Sequence, residues 1–306
     1  MSKSIAFLKF KSLLEFEIRT FWHVLASLEY ADRWLASANP TRLTTHAGDS
    51  RNPFKSIDIS PSEFAAEHLQ VASHIRENAL VSFVTSFECY LAELLERVIY
   101  IEPSTVSDST LQFTAKDISS ALPIADIKRW IATRVADKYL RNKTHAEMIS
   151  KLDTACKAGV SNRLDAEIKE WSRWSLVRNS IVHTARQVTP ELAEAWPTRF
   201  PAAAAQITLT DKEVARVHHL ALTIAAALDG RAVETVIKKH DQVLLARELF
   251  VQRGIEDVKS IRKQIGSLMP LRLTKIDIEK TIADQRRNPR RDGWELSARD
   301  LIVIGI

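Results

Sequence analysis

Cysteine is nearly absent: Cys89 and Cys156 are the only two in 306 residues. They do not form a close pair, which argues against a disulfide framework or a structural zinc site. Both thiols are expected to behave as small buried hydrophobes. Glycine is also scarce, at seven, while Ala, Leu, Glu, Lys and Arg are plentiful, a balance that predicts a mostly helical chain. No apolar run reaches the roughly 18 residues that would mark a membrane helix. The amino terminus, Met1-Ser2-Lys3-Ser4-Ile5, reads into an amphipathic helix rather than a cleavable signal. A cytoplasmic protein with no membrane contact is the expectation.

The net charge of +5 is concentrated. Residues 231–306 hold 16 Lys and Arg against 11 Asp and Glu, and residues 1–230 hold 27 of each. The basic excess of the last quarter suits a polyanion such as RNA or DNA, and equally a solvated basic surface.

Periodicity predicts a helix over 5–38, with Leu14, Ile18, Phe21, Leu25 and Leu28 at helical spacing. Residues 39–60 read as a loop. Ser60-Pro61-Ser62-Glu63 then reads as a capping box with proline in the first turn, opening a long helix, with one break or bend expected before Ile101. Its stripe is Leu80, Val84, Phe87, Leu91, Leu94 and Val98. Residues 102–113 form a loop, and helices follow from Thr114, over Pro123–Leu140 and over His145–Lys157, before a break at Gly159. A helix over 162–187 comes next, then a Pro-rich loop at 188–209. Thr210-Asp211-Lys212-Glu213 is a second capping box. His218 and His219, as neighbours, cannot face one way, so they are expected to be surface or partly buried residues.

A break at Asp229-Gly230 divides the chain into 1–230 and 231–306. In the latter, helices are expected over 232–251, 255–265 and 274–287. A turn containing Gly266, and a strand over Trp294–Ile304, suggest a helix-turn-helix with a wing. Arg286, Arg287, Arg290 and Arg291 are its candidate phosphate contacts. Extra packing on a helical bundle is the other reading.

The richest stretch is Trp171-Ser172-Arg173-Trp174-Ser175-Leu176-Val177-Arg178-Asn179-Ser180-Ile181-Val182-His183-Thr184-Ala185. At about 100° per residue, Trp171, Trp174, Ile181, Val182 and Ala185 form one stripe, and Arg178 falls inside it. An arginine keeps its charge, so an apolar face demands a partner or a task for it. Asn179 and His183, four residues apart, share a face at the stripe's edge. An imidazole that titrates near neutrality, beside an amide and a fixed cation, suits phosphate chemistry. Glu88 borders its own stripe, as an exposed helix acid or as the partner of Arg178. No second acid or His lies beside it at ligand spacing, so no metal is implied.

Arg178-Asn179-x-x-x-His183, with its aromatic-rich helix and Leu176-Val177, resembles the Arg-x4-6-His signature of the HEPN superfamily, the higher eukaryote and prokaryote nucleotide-binding domains. Leu80-Val81-Ser82-Phe83-Val84-Thr85-Ser86-Phe87-Glu88-Cys89-Tyr90-Leu91 is similar to the helix that carries an acid within an aromatic stretch in many of these domains. The likeness covers roughly residues 60–230. It implies an all-α, HEPN-like antiparallel helical bundle that forms a homodimer. It also implies a metal-independent endoribonuclease without cofactor, acting on RNA in a toxin or antiphage defence system with an antitoxin or other defence partner. Arg178, Asn179 and His183 would be catalytic, with Glu88 in support. One departure stands out: members silenced by nucleotidylation carry Tyr two residues after the His, where this chain has Ala185, so silencing there is not expected. The alternative is a noncatalytic HEPN-like dimer that binds nucleic acid or nucleotide, or a DNA-binding regulator.

Overall fold

A serine, a proline and a glutamate fix where the longest helix begins. In the computed structural model, which describes residues 3–38, 59–106, 113–114, 127–288 and 294–306, the Ser60 N–H donates to Glu63 Oε2 at 2.9 Å and the Glu63 N–H to Ser60 Oγ at 3.3 Å. The capping box closes as the sequence predicts. Helix α1 spans Ile5–Ala38, and α2 spans Pro61–Ile101. The break expected in α2 is absent. Its 41 residues contain no glycine, and no proline after Pro61, and buried Leu80, Phe83, Val84, Phe87, Leu91, Leu94 and Val98 hold its second half.

A 3₁₀ turn at Pro103–Thr105 precedes α3 (Ile127–Leu140) and α4 (His145–Cys156). Lys157 (φ 49°) and Gly159 (φ 64°) then take left-handed conformations, which end the helix as expected. The short α5 (Val160–Arg163) leads into α6 (Asp165–His183), and α7 (Pro190–Ala195) interrupts what the three prolines had suggested was all loop. Thr189 supplies its cap. The second capping box opens α8 (Asp211–Ala232). After a π-helical turn at Val233–Ile237 come α9 (His240–Arg253), α10 (Val258–Leu268), α11 (Lys275–Arg287) and α12 (Ala298–Val303).

The protein is all-α: among the described residues there is no strand, only an isolated bridge between Gln187 and Gln206. Three local expectations are therefore corrected. Gly230 lies inside α8, where burial of Leu228, Asp229 and Ala232 outweighs the roughly 1 kcal/mol propensity cost of glycine. Gly266 lies inside α10 rather than in a turn. The strand expected over Trp294–Ile304 is an extended lead followed by α12. Trp294 and Leu296 alternate as in a strand, but Ser297 and Asp300 form a capping box that starts a helix.

Contacts divide the chain into two compact units. The first comprises Met1–Leu13, Thr85–Ser175 and His219–Ile306, the second Leu14–Val84 and Leu176–His218. Neither is the 1–230 or 231–306 segment, and α1, α2, α6 and α8 each contribute to both. In the first, Phe10 stacks on Tyr90 at 5.0 Å, and Phe87 meets Trp171 at 4.6 Å. In the second, buried Phe21, Leu80, Phe83, Val177, Leu192, Ile207 and Val217 form the core. No helix among the described residues is long and apolar enough to cross a membrane.

Candidate functional site

Two tryptophans anchor the helix that carries the Arg-His motif. Trp171 and Trp174 are buried in the first unit, and α6 continues into the second with buried Val177 and Ser180. The buried line thus advances every three residues. It does not follow the stripe drawn through Val182 and Ala185, which is corrected here: Val182 is 50% exposed, and Ala185 lies beyond the helix at φ 50°. Val182 is a helical residue on the exposed side of α6, and termination is what removes Ala185 from the stripe. The Thr184 hydroxyl donates to Ser180 O at 2.7 Å, and Ala185 and Arg186 turn left-handed in succession, so helical spacing stops at His183.

Arg178 is half-buried, and its Nη1 donates to the Asn179 Oδ1 at 2.9 Å. The amide thereby orients the guanidinium. Asn179 and His183 are both exposed, and their spacing places them on one side of the final turns.

Immediately beyond lies a cluster that the sequence reading passed over. Arg186 donates from Nε to Glu77 Oε2 at 2.5 Å, and its Nη2 is 3.0 Å from His74 Nδ1. A guanidinium only donates, so Nδ1 accepts and the His74 proton sits on Nε2. Glu77 is buried. A signal was present: Glu77 stands one heptad before Val84, Leu91 and Val98, so a carboxylate occupies an apolar register and demands a cation. Arg76 pairs with Asp211 at 2.6 Å, tying the start of α8 to α2.

Glu88 belongs to the first unit. Its Oε1 is 2.8 Å from His145 Nε2, while the Trp171 indole donates to His145 Nδ1 at 2.9 Å. Because an indole N–H cannot accept, Nδ1 must, so His145 is the neutral Nε2–H tautomer donating to Glu88. No spacing rule links residues so distant in sequence.

In the carboxy-terminal part, Arg286 bonds Glu256 at 2.7 Å and lies over the Phe250 ring. Arg287 is exposed, and Arg290 and Arg291 lie outside the described residues. Of the cysteines, Cys156 is buried but Cys89 is exposed. Burial pushes the Cys156 thiol up to about 12, with Asp229 and Asp153 adding to the effect. Partial burial, then Glu88 and Glu93, raise Cys89, so both environments favour the thiol over the nucleophilic thiolate. No cluster of three or more His, Cys, Asp or Glu able to hold a metal ion occurs among the described residues.

No family model, no curated protein and no solved structure matches this chain.

Proposed function

We propose that the end of α6 is the active site of a metal-independent endoribonuclease of HEPN type, working as a twofold homodimer. The observation that supports this most is the arrangement of three side chains on two helical turns: Arg178, half-buried and held by Asn179, with Asn179 and His183 exposed on a shared side. A fixed cation, an amide and an imidazole are the groups that phosphodiester transfer requires.

In the proposed reaction the ribose 2′-hydroxyl gives its proton to the neutral imidazole of His183, and its oxygen bonds to the adjacent phosphorus. The P–O5′ bond breaks, and O5′ leaves with a proton from a second, protonated imidazole. The products are a 2′,3′-cyclic phosphate and a 5′-hydroxyl. Arg178 neutralises the charge gathering on the phosphorane oxygens, and Asn179 keeps the guanidinium in position. On one helix Arg178 and His183 point about 140° apart. A twofold axis beside α6 remedies this by placing both motifs in one groove, and it supplies the second imidazole. Exposed Val182, next to His183, gives that contact an apolar residue. Cellular RNA in a toxin or antiphage setting is the proposed substrate.

The test is incubation of the purified chain with total RNA and tRNA in excess EDTA, beside His183→Ala and Arg178→Ala. Cleavage by the wild type alone, leaving cyclic phosphate ends, supports the proposal. A folded dimer that cuts nothing sinks it in favour of noncatalytic RNA binding.

A further inference from the structure

Helices α9, α10 and α11 pack on one another pairwise over a core that includes Leu245, Leu249, Ile261, Ile265, Ile278 and Ile282. Residues 258–287, which span α10, α11 and their connection, carry eight Lys and Arg against three acids. That surplus equals the net +5 of the entire chain.

The charge has a defined surface. Ile278 and Ile282 bury one side of α11. At about 100° per residue, Lys275, Glu279, Ala283, Ile276, Arg287 and Lys280 share with Arg286 an arc of about 140° whose middle lies about 110° from that buried side. All six are exposed. Ile276 is 74% exposed, and Ala283, at the middle of the arc, leaves the helix axis open to close approach. The start of α11 is fixed by the Thr274–Asp277 capping box and by Lys239, which bonds Asp277 at 2.6 Å. Thirteen residues make a rod about 20 Å long, which suits a B-form major groove about 12 Å wide.

We infer that α11 is a recognition helix that enters the major groove of double-stranded DNA. Charge complementarity selects the occupant: Lys280 and Arg287 at the edge of the arc neutralise phosphates, and exposed Lys259, Arg262 and Lys263 of α10 extend the basic surface. Within the arc, Ile276 offers an apolar contact to a thymine methyl, and Glu279 offers an acceptor to a cytosine amino group. The Lys275–Glu279 pair, 3.4 Å apart and exposed, is weak enough to yield to such contacts. None of these residues belongs to α6.

The full chain would be titrated by fluorescence anisotropy with a randomised pool of 30-base-pair DNA duplexes, and with double-stranded RNA of equal length, from about 50 to 200 mM salt, the range over which phosphate contacts show. The expected result is salt-dependent DNA binding, with RNA duplex at least about tenfold weaker because its deep, narrow major groove excludes the helix. Lys280→Gln with Arg287→Gln lowers the log–log salt slope by about two, near 0.9 per phosphate contact. Sequences enriched from the pool lose their preference with Ile276→Ala. His183→Ala binds as the wild type does. The substituted side chains are exposed, and circular dichroism verifies the fold of each variant. Equal affinity for the two duplexes, an unchanged slope in the double variant, or no DNA binding overturns the inference.

Discussion

The start of α1 and the end of α6 use the same kinds of side chain to opposite ends. At the start of α1, the Ser4 N–H donates to Asp229 Oδ2 at 3.0 Å, the Ile5 N–H to Asp241 Oδ2 at 2.8 Å, and the Phe7 N–H to Ser4 Oγ at 3.1 Å. The Ser4 hydroxyl reaches Asp229 Oδ1, and Arg97 Nε donates to Asp241 Oδ1 at 2.7 Å. All four polar side chains are buried. Two aspartate side chains thus satisfy amide donors that a helix start leaves open. At the end of α6, by contrast, Asn179 and His183 face solvent. A buried charge is tolerated only when its partners are complete, so the first network is architecture. Exposed donors beside a half-buried guanidinium leave bonding capacity for something else.

The largest predicted effect separates the two regions by what each variant leaves intact. His183→Ala lowers RNA cleavage by about 10²–10⁴-fold, while stability in urea moves by less than about 0.5 kcal/mol. Arg97→Met has the reverse outcome. It leaves the Asp241 carboxylate buried without its cation and costs about 3–5 kcal/mol, while cleavage per folded molecule is unchanged. If both variants lose activity and stability together, the distinction between the regions fails.

The helical class, both capping boxes at Ser60 and Thr210, and the stripe of α2 were legible in the sequence, because each is set by neighbours within a turn or two. The α6 motif was legible as spacing, though not the burial around it. Ala185 was misplaced because spacing carries no mark for the left-handed turn that it forms with Arg186. The Ser4–Asp229 and His145–Trp171 bonds were hidden for another reason: each joins elements far apart in the chain, and hydrogen bonding leaves no period. Glu77 was the exception, since its heptad position marked a buried acid whose partner, Arg186, only the structure identifies.

A smaller effect tests the burial at the start of α1 through pH. Burial lifts the Asp229 carboxyl to about 7; the Ser4 bonds pull it down and Asp241 pushes it up. An unfolded Asp titrates near 3.9, so the folded state holds a proton that the unfolded state releases. The associated stability is full below about pH 4 and is lost as pH rises through 7, a span worth about 4 kcal/mol at about 1.4 per pH unit. Asn imitates the protonated group, with its oxygen accepting from the Ser4 N–H and its amide donating to Ser4 Oγ. Melting temperature of the wild type should therefore decline between pH 5 and 8, and Asp229→Asn should flatten that decline. A wild type whose stability rises across that interval contradicts the buried neutral carboxyl.

The smallest predicted effect lies in the second unit, with the α6 motif, and asks whether disturbance there reaches catalysis. Thr210→Ala removes the hydroxyl that accepts from the Glu213 N–H at 3.3 Å and donates to Glu213 Oε2 at 2.9 Å. Loss of such a cap costs about 1 kcal/mol, or about 2–4 °C in a chain of this size. Partial burial pushes the Glu213 carboxyl upward, but hydrogen bonds from Arg199 and Thr210 outweigh it and hold the group below its usual value. Its contribution is therefore present above the unfolded Glu value near 4.3 and is lost as pH falls through the lower folded value. Thr210→Ala should trail the wild type most near pH 7 and draw closer to it toward pH 3, with RNA cleavage unaltered at pH 7. A loss of cleavage comparable to that of His183→Ala would show that the start of α8 and the end of α6 act as one piece, and the division between architecture and chemistry would then have to be redrawn inside the second unit.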